Sequence, residues 1–178
     1  HMPLISCILP INKDLDYLDQ SIESILNQTY KNFEIIFWDN QSKDNSADIA
    51  KSFKDPRIKY FYADEHKKLF FARNQALEKS KGELIAFLDT DDEWLPNRLE
   101  KQISYFNNPE VGLVYGNYYY KNEIKNSPKK IMFKYSLNSG DIFNSFIVNN
   151  DIHLLTVILR KKYLDAFEKK FDNNLQVI

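Results

Sequence analysis

Glycine is scarce in this chain of 178 residues: there are four, Gly82, Gly112, Gly116 and Gly140, and none in the first 81 positions. Loops that cradle phosphate with bare backbone need glycine near the amino terminus, as G-x-G-x-x-G or G-x-x-x-x-G-K. Neither pattern occurs here. Any phosphate must therefore be held by side chains and a metal. Cysteine is scarcer still, with Cys7 alone inside an apolar run. A single cysteine excludes an intrachain disulfide and points to a reducing compartment, the cytoplasm. No apolar run approaches the roughly 20 residues that cross a bilayer, and no signal peptide is visible. Neither sign of charge dominates, with 24 basic against 25 acidic residues. That balance excludes bulk binding of nucleic acid by a basic face. His1-Met2 reads as a cloning remnant.

What is present is a core-forming chain, 43% hydrophobic and of single-domain size. Apolar runs and helical patterns alternate four times over residues 3–106. The first strand is 4–9 (LISCIL), stopped by Pro10. A helix follows with Leu18, Ile22, Ile25 and Leu26 on one face and Asp14 or Asp16 as its cap. The second strand, 33–38 (FEIIFW), ends at Asp39. Asp44 or Ser46 caps the next helix, which turns Ile49, Ala50 and Phe53 inward until Asp55-Pro56 stops it. A third strand covers 58–62, and a third helix covers 70–80 with Gly82 placed to end it. The fourth strand, 84–88 (LIAFL), is apolar throughout, as suits burial on both faces. Pro96 then lies near the start of a helix with Leu99, Ile103 and Phe106 inside.

This order predicts an α/β domain with a largely parallel central sheet flanked by helices. Residues 107–178 are less regular. Strands at 111–120 and 154–159, a basic loop at 121–130 and short helices at 142–148 and 161–167 suit a mixed extension of that sheet.

The chemistry concentrates after the fourth strand. Asp89, Asp91, Asp92 and Glu93 crowd four carboxylates into five residues. Mutual repulsion calls for a positive partner. Hard cations such as Mg²⁺ and Mn²⁺ take carboxylate oxygens together with substrate phosphates. The bland reading is a solvated acidic turn capping the next helix. Open α/β sheets bind ligands beyond the carboxyl ends of their strands, which favours the metal. Asp39 ends a neighbouring strand and can accept from a ribose or a base edge, or else from its own turn. Arg73, in Phe71-Ala72-Arg73-Asn74, can hold a diphosphate or a base carbonyl, or form a surface salt bridge. Trp94 lines a pocket or anchors the helix beyond it. His66, His153 and Tyr118 to Tyr120 read more simply as surface or packing residues.

Together these stretches resemble the family 2 glycosyltransferases. Residues 6–12 (SCILPIN) look like that family's first strand and its proline-containing end, one residue shorter than the usual Pro-Thr-Tyr-Asn. Residues 22–36 (IESILNQTYKNFEII) are similar to its helix, Gln-Thr-Tyr turn and second strand. Residues 38–42 (WDNQS) stand where it has Val-Asp-Asp-Gly-Ser, without the second Asp and the Gly. Ala72-Arg73-Asn74, residues 87–99 (FLDTDDEWLPNRL) and residues 154–172 complete the ordered match. The resemblance implies a Rossmann-like, A-type glycosyltransferase fold and a nucleoside-diphosphate sugar donor, UDP-linked. It implies an inverting transfer to a glycan or lipid-linked acceptor in bacterial surface polysaccharide synthesis, at the inner face of the membrane.

By the same resemblance Asp39 contacts the nucleoside and Arg73 the base or diphosphate. Asp89 contacts the ribose or the metal shell, and Pro10, Thr90 and Trp94 border the substrate. Asp91 is the main ligand of Mn²⁺ or Mg²⁺, with Asp92 beside it. The family's base lies in a Glu-Asp pair after the Phe-Asp element. Residues 173–178 (NNLQVI) hold no such pair, so the base is expected beyond Ile178, in a chain cut short of it. Two other readings stay open. One is a phosphoryl-transfer enzyme with an Asp-x-Asp nucleophile, although such motifs usually follow the first strand and do not carry an acid at the position of Glu93. The other is a nucleotide-binding module without catalysis.

Overall fold

A computed structural model describes residues 1–11, 16–122, 127–134, 136–140 and 152–166. The expected cap at Asp14, the helix at 142–148 and the Phe171-Asp172 ending lie outside the described residues. The main sheet has six strands in the order β3-β2-β1-β4-β8-β5. Four are parallel: β1 (Ile5–Ile11), β2 (Phe33–Asp39), β3 (Ile58–Tyr62) and β4 (Leu84–Phe87). β8 (Ile158–Arg160) runs antiparallel to both β4 and β5 (Leu113–Val114). A separate ribbon pairs β6 (Tyr119–Tyr120) with β7 (Lys130–Ile131).

Strand alternation divides the core. Ile5, Cys7, Leu9 and Ile11 face one side with Leu18, Ile22 and Ile25 of α1 (Leu18–Leu26), Ala50 of α2 (Ser46–Ser52) and Leu99 of α4 (Arg98–Ile103). Ile8, Ile36, Ile85 and Phe87 face the other, against Ala72, Ala76 and Leu77 of α3 (Leu69–Lys79). Each fully buried aliphatic side chain contributes about 1.5–3 kcal/mol. Cys7 has no exposed surface, and burial pushes its thiol far above the ordinary range. It is a small core residue.

Several local expectations change. β1 does not stop at Pro10; it continues to Ile11, with Pro10 opposite Trp38. Even-numbered residues of β1 bond toward β4, as in Leu84 N–H to Leu4 O and Leu88 N–H to Ile8 O. The β1–β4 pairing ends at Ile8 and Phe87, so the missing N–H of Pro10 falls beyond it. No side chain caps α1, whose N-cap is Tyr17 rather than Asp16. Asp44 accepts from the N–H and hydroxyl of Ser46 just outside α2. Gly82 does not close α3, which ends with extended Ser80 at its C-cap. A Cβ on Gly82 would lie 2.6 Å from Ser6 N and 2.8 Å from Leu4 O, so glycine is needed for close approach of β1.

The run 111–120 is two short strands in different sheets rather than one strand. Residues 154–156 form a 3₁₀ turn before β8. The last described helix, α5, covers Lys161–Asp165.

Candidate active site

The chain builds β2 and β3 on one side of β1, then returns to place β4 on the other. The carboxyl ends of these strands flank the reversal in strand order, where open α/β sheets form their binding crevice. Pro10 lies near the end of β1, Asp39 ends β2, and Asp89 follows β4 by two residues. Three elements that sequence alone leaves apart thus meet at one edge.

The acid loop is stitched to α1. Ser21 Oγ donates to Thr90 O (2.9 Å) and to Asp92 O (2.7 Å). Trp94 N–H donates to Ser24 Oγ (3.1 Å). Gln28, fully buried, donates from Nε2 to Leu95 O (2.8 Å) and accepts at Oε1 from Leu99 N–H (3.0 Å). That last bond satisfies one of the open N–H groups in the first turn of α4. Sequence reasoning missed all three side chains. Their signal is the spacing 21, 24, 28, a polar stripe beside the apolar stripe of α1.

Arg73 and Asp89 meet directly. Arg73 Nη2 donates to both carboxylate oxygens of Asp89, at 2.8 and 2.9 Å. The Arg73 side chain is 15% exposed and that of Asp89 40%, so the pair is partly open to solvent beyond the end of β4. Asp91 and Glu93 are exposed and Asp92 is half-buried. Burial, then the charges of Asp91 and Asp89, push the Asp92 carboxyl up to about 6. Among the described residues no three His, Cys, Asp or Glu side chains converge into a ready cage for an ion. The donor set still fits a Mg²⁺- or Mn²⁺-type ion, which binds through one or two carboxylates and completes its shell with water and substrate phosphate.

Asp39 is placed differently. It is fully buried, and Oδ1 accepts from Ser42 N–H and Ser42 Oγ, both at 2.7 Å. Oδ2 accepts from Tyr60 Oη at 2.7 Å. Burial and this bond push the Tyr60 phenol well above its ordinary range. Asn40 donates from Nδ2 to Lys67 O and accepts at Oδ1 from Lys67 N–H. An aspartate could not make both bonds, because it has no donor. Gln41 adopts φ 62°, a conformation suited to glycine, and its Nε2 donates to Asp64 O (2.7 Å). The 39–42 turn is thus held through the amides of Asn40 and Gln41, at the positions where the similar family has Asp and Gly.

Trp94 is 5% exposed and belongs to the core, with the Arg98 guanidinium 4.1 Å over its ring. It anchors the loop from beneath. Arg98 Nη2 donates to Val157 O (3.0 Å) and Gln102 Nε2 to Thr156 O (2.8 Å), tying α4 to the turn before β8. Burial pulls the Arg98 pKa down to about 9, which leaves it a cation at neutral pH. Thr90 is nearly buried, and its carbonyl is engaged by Ser21. Exposed His66 meets Asn40 O at 2.8 Å through Nδ1.

Comparison with known proteins shows the family and the fold. The model of the Glycosyl transferase family 2 matches residues 6–166. A UDP-Glc:alpha-D-GlcNAc-diphosphoundecaprenol beta-1,3-glucosyltransferase of Escherichia coli is 37% identical over 168 residues, covering 94% of this chain and 64% of that protein. The chain likewise spans 64% of an uncharacterized glycosyltransferase of Haemophilus influenzae, at 33% identity. Among solved structures, S. aureus TarS in complex with UDP-GlcNAc aligns over 90% of this chain and 46% of its own, with TM-score 0.71 and 21% identity. A Pyrobaculum calidifontis mannosyltransferase in complex with GDP-Man and Mn²⁺ aligns over 93% of this chain and 46% of its own, with TM-score 0.69 and 18% identity. At such identities the structures speak for the fold, which is the A-type glycosyltransferase fold.

Proposed function

The chain belongs to glycosyl transferase family 2, and from that premise we propose that it is the donor-binding part of a metal-dependent, inverting glycosyltransferase. Its donor is a UDP-linked sugar and its acceptor a glycan or a lipid-linked sugar diphosphate of surface polysaccharide synthesis. It works at the inner face of the membrane. The observation that carries this reading is that Asp39 and the 89–92 loop, to which Arg73 is paired, lie at the carboxyl ends of the two parallel strands on either side of β1. The relative with a UDP-Glc donor and a diphosphoundecaprenol acceptor supports both substrate classes.

Asp39 and its turn receive the nucleoside. Pro10 borders the crevice at the end of β1. Arg73 holds Asp89 at the crevice wall, where the pair meets the ribose and diphosphate. Asp91 and Asp92 hold a divalent cation, Mn²⁺ or Mg²⁺. When bound, that ion supplies Lewis-acid stabilisation of the departing nucleoside diphosphate. The protein's own contribution is orientation: Ser21, Ser24 and Gln28 fix the loop before any ligand arrives, so little ordering is left for binding. Family membership favours sugar transfer over phosphoryl transfer.

Calorimetry against UDP, GDP and their sugars, with and without Mn²⁺, tests the reading. UDP and UDP-sugars are expected to bind in a Mn²⁺-dependent manner that Asp91→Asn abolishes. Affinity indifferent to both metal and Asp91 would identify a nucleotide-binding module without catalysis.

A further inference from the structure

The β6–β7 ribbon has no use in the donor site and stands apart from the main sheet. Tyr119 is 55% exposed, Tyr120 57%, Ile131 43% and Met132 51%. The register sets Tyr119 opposite Ile131 and Tyr120 opposite Lys130, so apolar surface is open on both faces. A two-stranded ribbon is marginal in water by itself. This one is pinned at its root. Asn117 Nδ2 donates to Phe133 O (2.6 Å), and Asn117 Oδ1 accepts from Phe133 N–H (3.0 Å). Tyr118 packs edge-on against Phe133 and lies 4.8 Å, ring to ring, from His153. A firm base with exposed apolar side chains along both strands is the form of a docking device rather than of a fraying end.

Charge indicates what it docks on. Lys121, Lys129, Lys130 and Lys134 are exposed around the ribbon. From 115 to 134 the sequence holds one acid, Glu123, against Lys121, Lys125, Lys129, Lys130 and Lys134, in a chain whose net charge is −1. Lysines beside tyrosines and aliphatic tips suit an anionic headgroup layer over hydrocarbon. The aliphatic tips and the lack of arginine suit nucleic acid poorly. Topology sets the direction. β8 is antiparallel to β4, and β5 to β8, so β5 points the same way as β4. The chain therefore leaves β5 toward the edge that carries the acid loop, and the ribbon begins five residues later.

We propose that the β6–β7 ribbon docks on an anionic phospholipid surface and turns the donor-site edge of the sheet toward the bilayer. The contact stands independently of the transfer reading; its purpose, bringing a lipid-linked acceptor to the crevice, rests on that reading.

Vesicle flotation of the chain tests it, using mixed phosphatidylglycerol and phosphatidylcholine against phosphatidylcholine alone, without nucleotide or metal. The chain is expected to float with the anionic vesicles and to be released by salt. Lys129→Glu with Lys130→Glu should weaken binding by more than about tenfold, since each basic residue near such a surface is worth about 1 kcal/mol. Tyr119→Ser with Ile131→Ser should weaken it even at low salt. Unchanged thermal melting and unchanged nucleotide calorimetry show that both variants are folded. No flotation by the unaltered chain, or flotation indifferent to both variants, overturns the proposal. Binding of an oligonucleotide in place of vesicles also overturns it, as does self-association abolished by Tyr119→Ser with Ile131→Ser without any flotation. Flotation with no nucleotide binding would keep the proposal and sink the transfer reading instead.

Discussion

Two acidic strand ends flank β1 and are built in opposite ways. Asp39, at the end of β2, is fully buried, and both its oxygens are met by Ser42 and Tyr60. The loop after β4 leaves Asp91 exposed and Asp92 half-buried, raised to about 6 by burial and its neighbours' charges. In that loop the backbone is engaged and Asp89 is met by Arg73, while Asp91 and Asp92 form no ion pair among the described residues. Ser21, Ser24 and Gln28 engage main-chain groups and leave the carboxylates alone. A carboxylate met by protein donors secures the shape of a turn. Carboxylates held in place but electrostatically unmet are poised for a cation.

This contrast can be broken by substitution, beginning with the largest expected change in stability. Asp39→Ala strands the part-buried donors of Ser42 and Tyr60 and should cost about 3 kcal/mol in urea denaturation. If it cost nothing, the first strand end would be no more committed than the second. Gln28→Ala orphans Leu99 N–H and Leu95 O and should cost about 2 kcal/mol. It should also weaken Mn²⁺-dependent nucleotide binding, because the loop loses its mooring.

Asp92→Asn should act in the opposite direction. The folded carboxyl titrates near 6 against 3.8 for the free group, so the fold disfavours the ionised form. The penalty is full above the folded value and gone below the unfolded one. With solvent screening, the metal-free variant should gain about 1 kcal/mol near neutral pH, or about 2–4 °C in melting temperature. That gain should shrink as pH falls through about 6 and vanish near 4. Asp91→Asn should change stability by less than about 0.5 kcal/mol, since Asp91 is exposed. A large loss of stability there would place Asp91 in the structural class with Asp39.

Much of the first half was legible because its signals are local. β3 matches the apolar run 58–62, and α1 buries Leu18, Ile22 and Ile25 as their spacing requires. β4 is buried along its whole length. The acid loop was visible as a charge anomaly, but the Arg73–Asp89 pair was not, because it joins residues 16 apart through the crossover geometry. Gln28 read as a turn residue, since its partners lie 67 and 71 residues downstream. The second half is harder to read for a physical reason. β5 and β8 have two and three residues, too few to show a period, and they exist because β4 offers an edge to β8. Trp94 could be read as pocket or anchor, and its burial beneath Arg98 places it in the core.

Pro10 has a consequence beyond its place in β1. Leu88 N–H to Ile8 O is a bond between β1 and the end of β4, at 3.0 Å. The next rung would need an N–H at position 10 to reach Leu88 O, and proline has none. The β1–β4 ladder therefore lacks that rung, and the pairing ends where the acid loop is about to begin. A missing hydrogen, rather than an added side chain, marks the place where the two strands part.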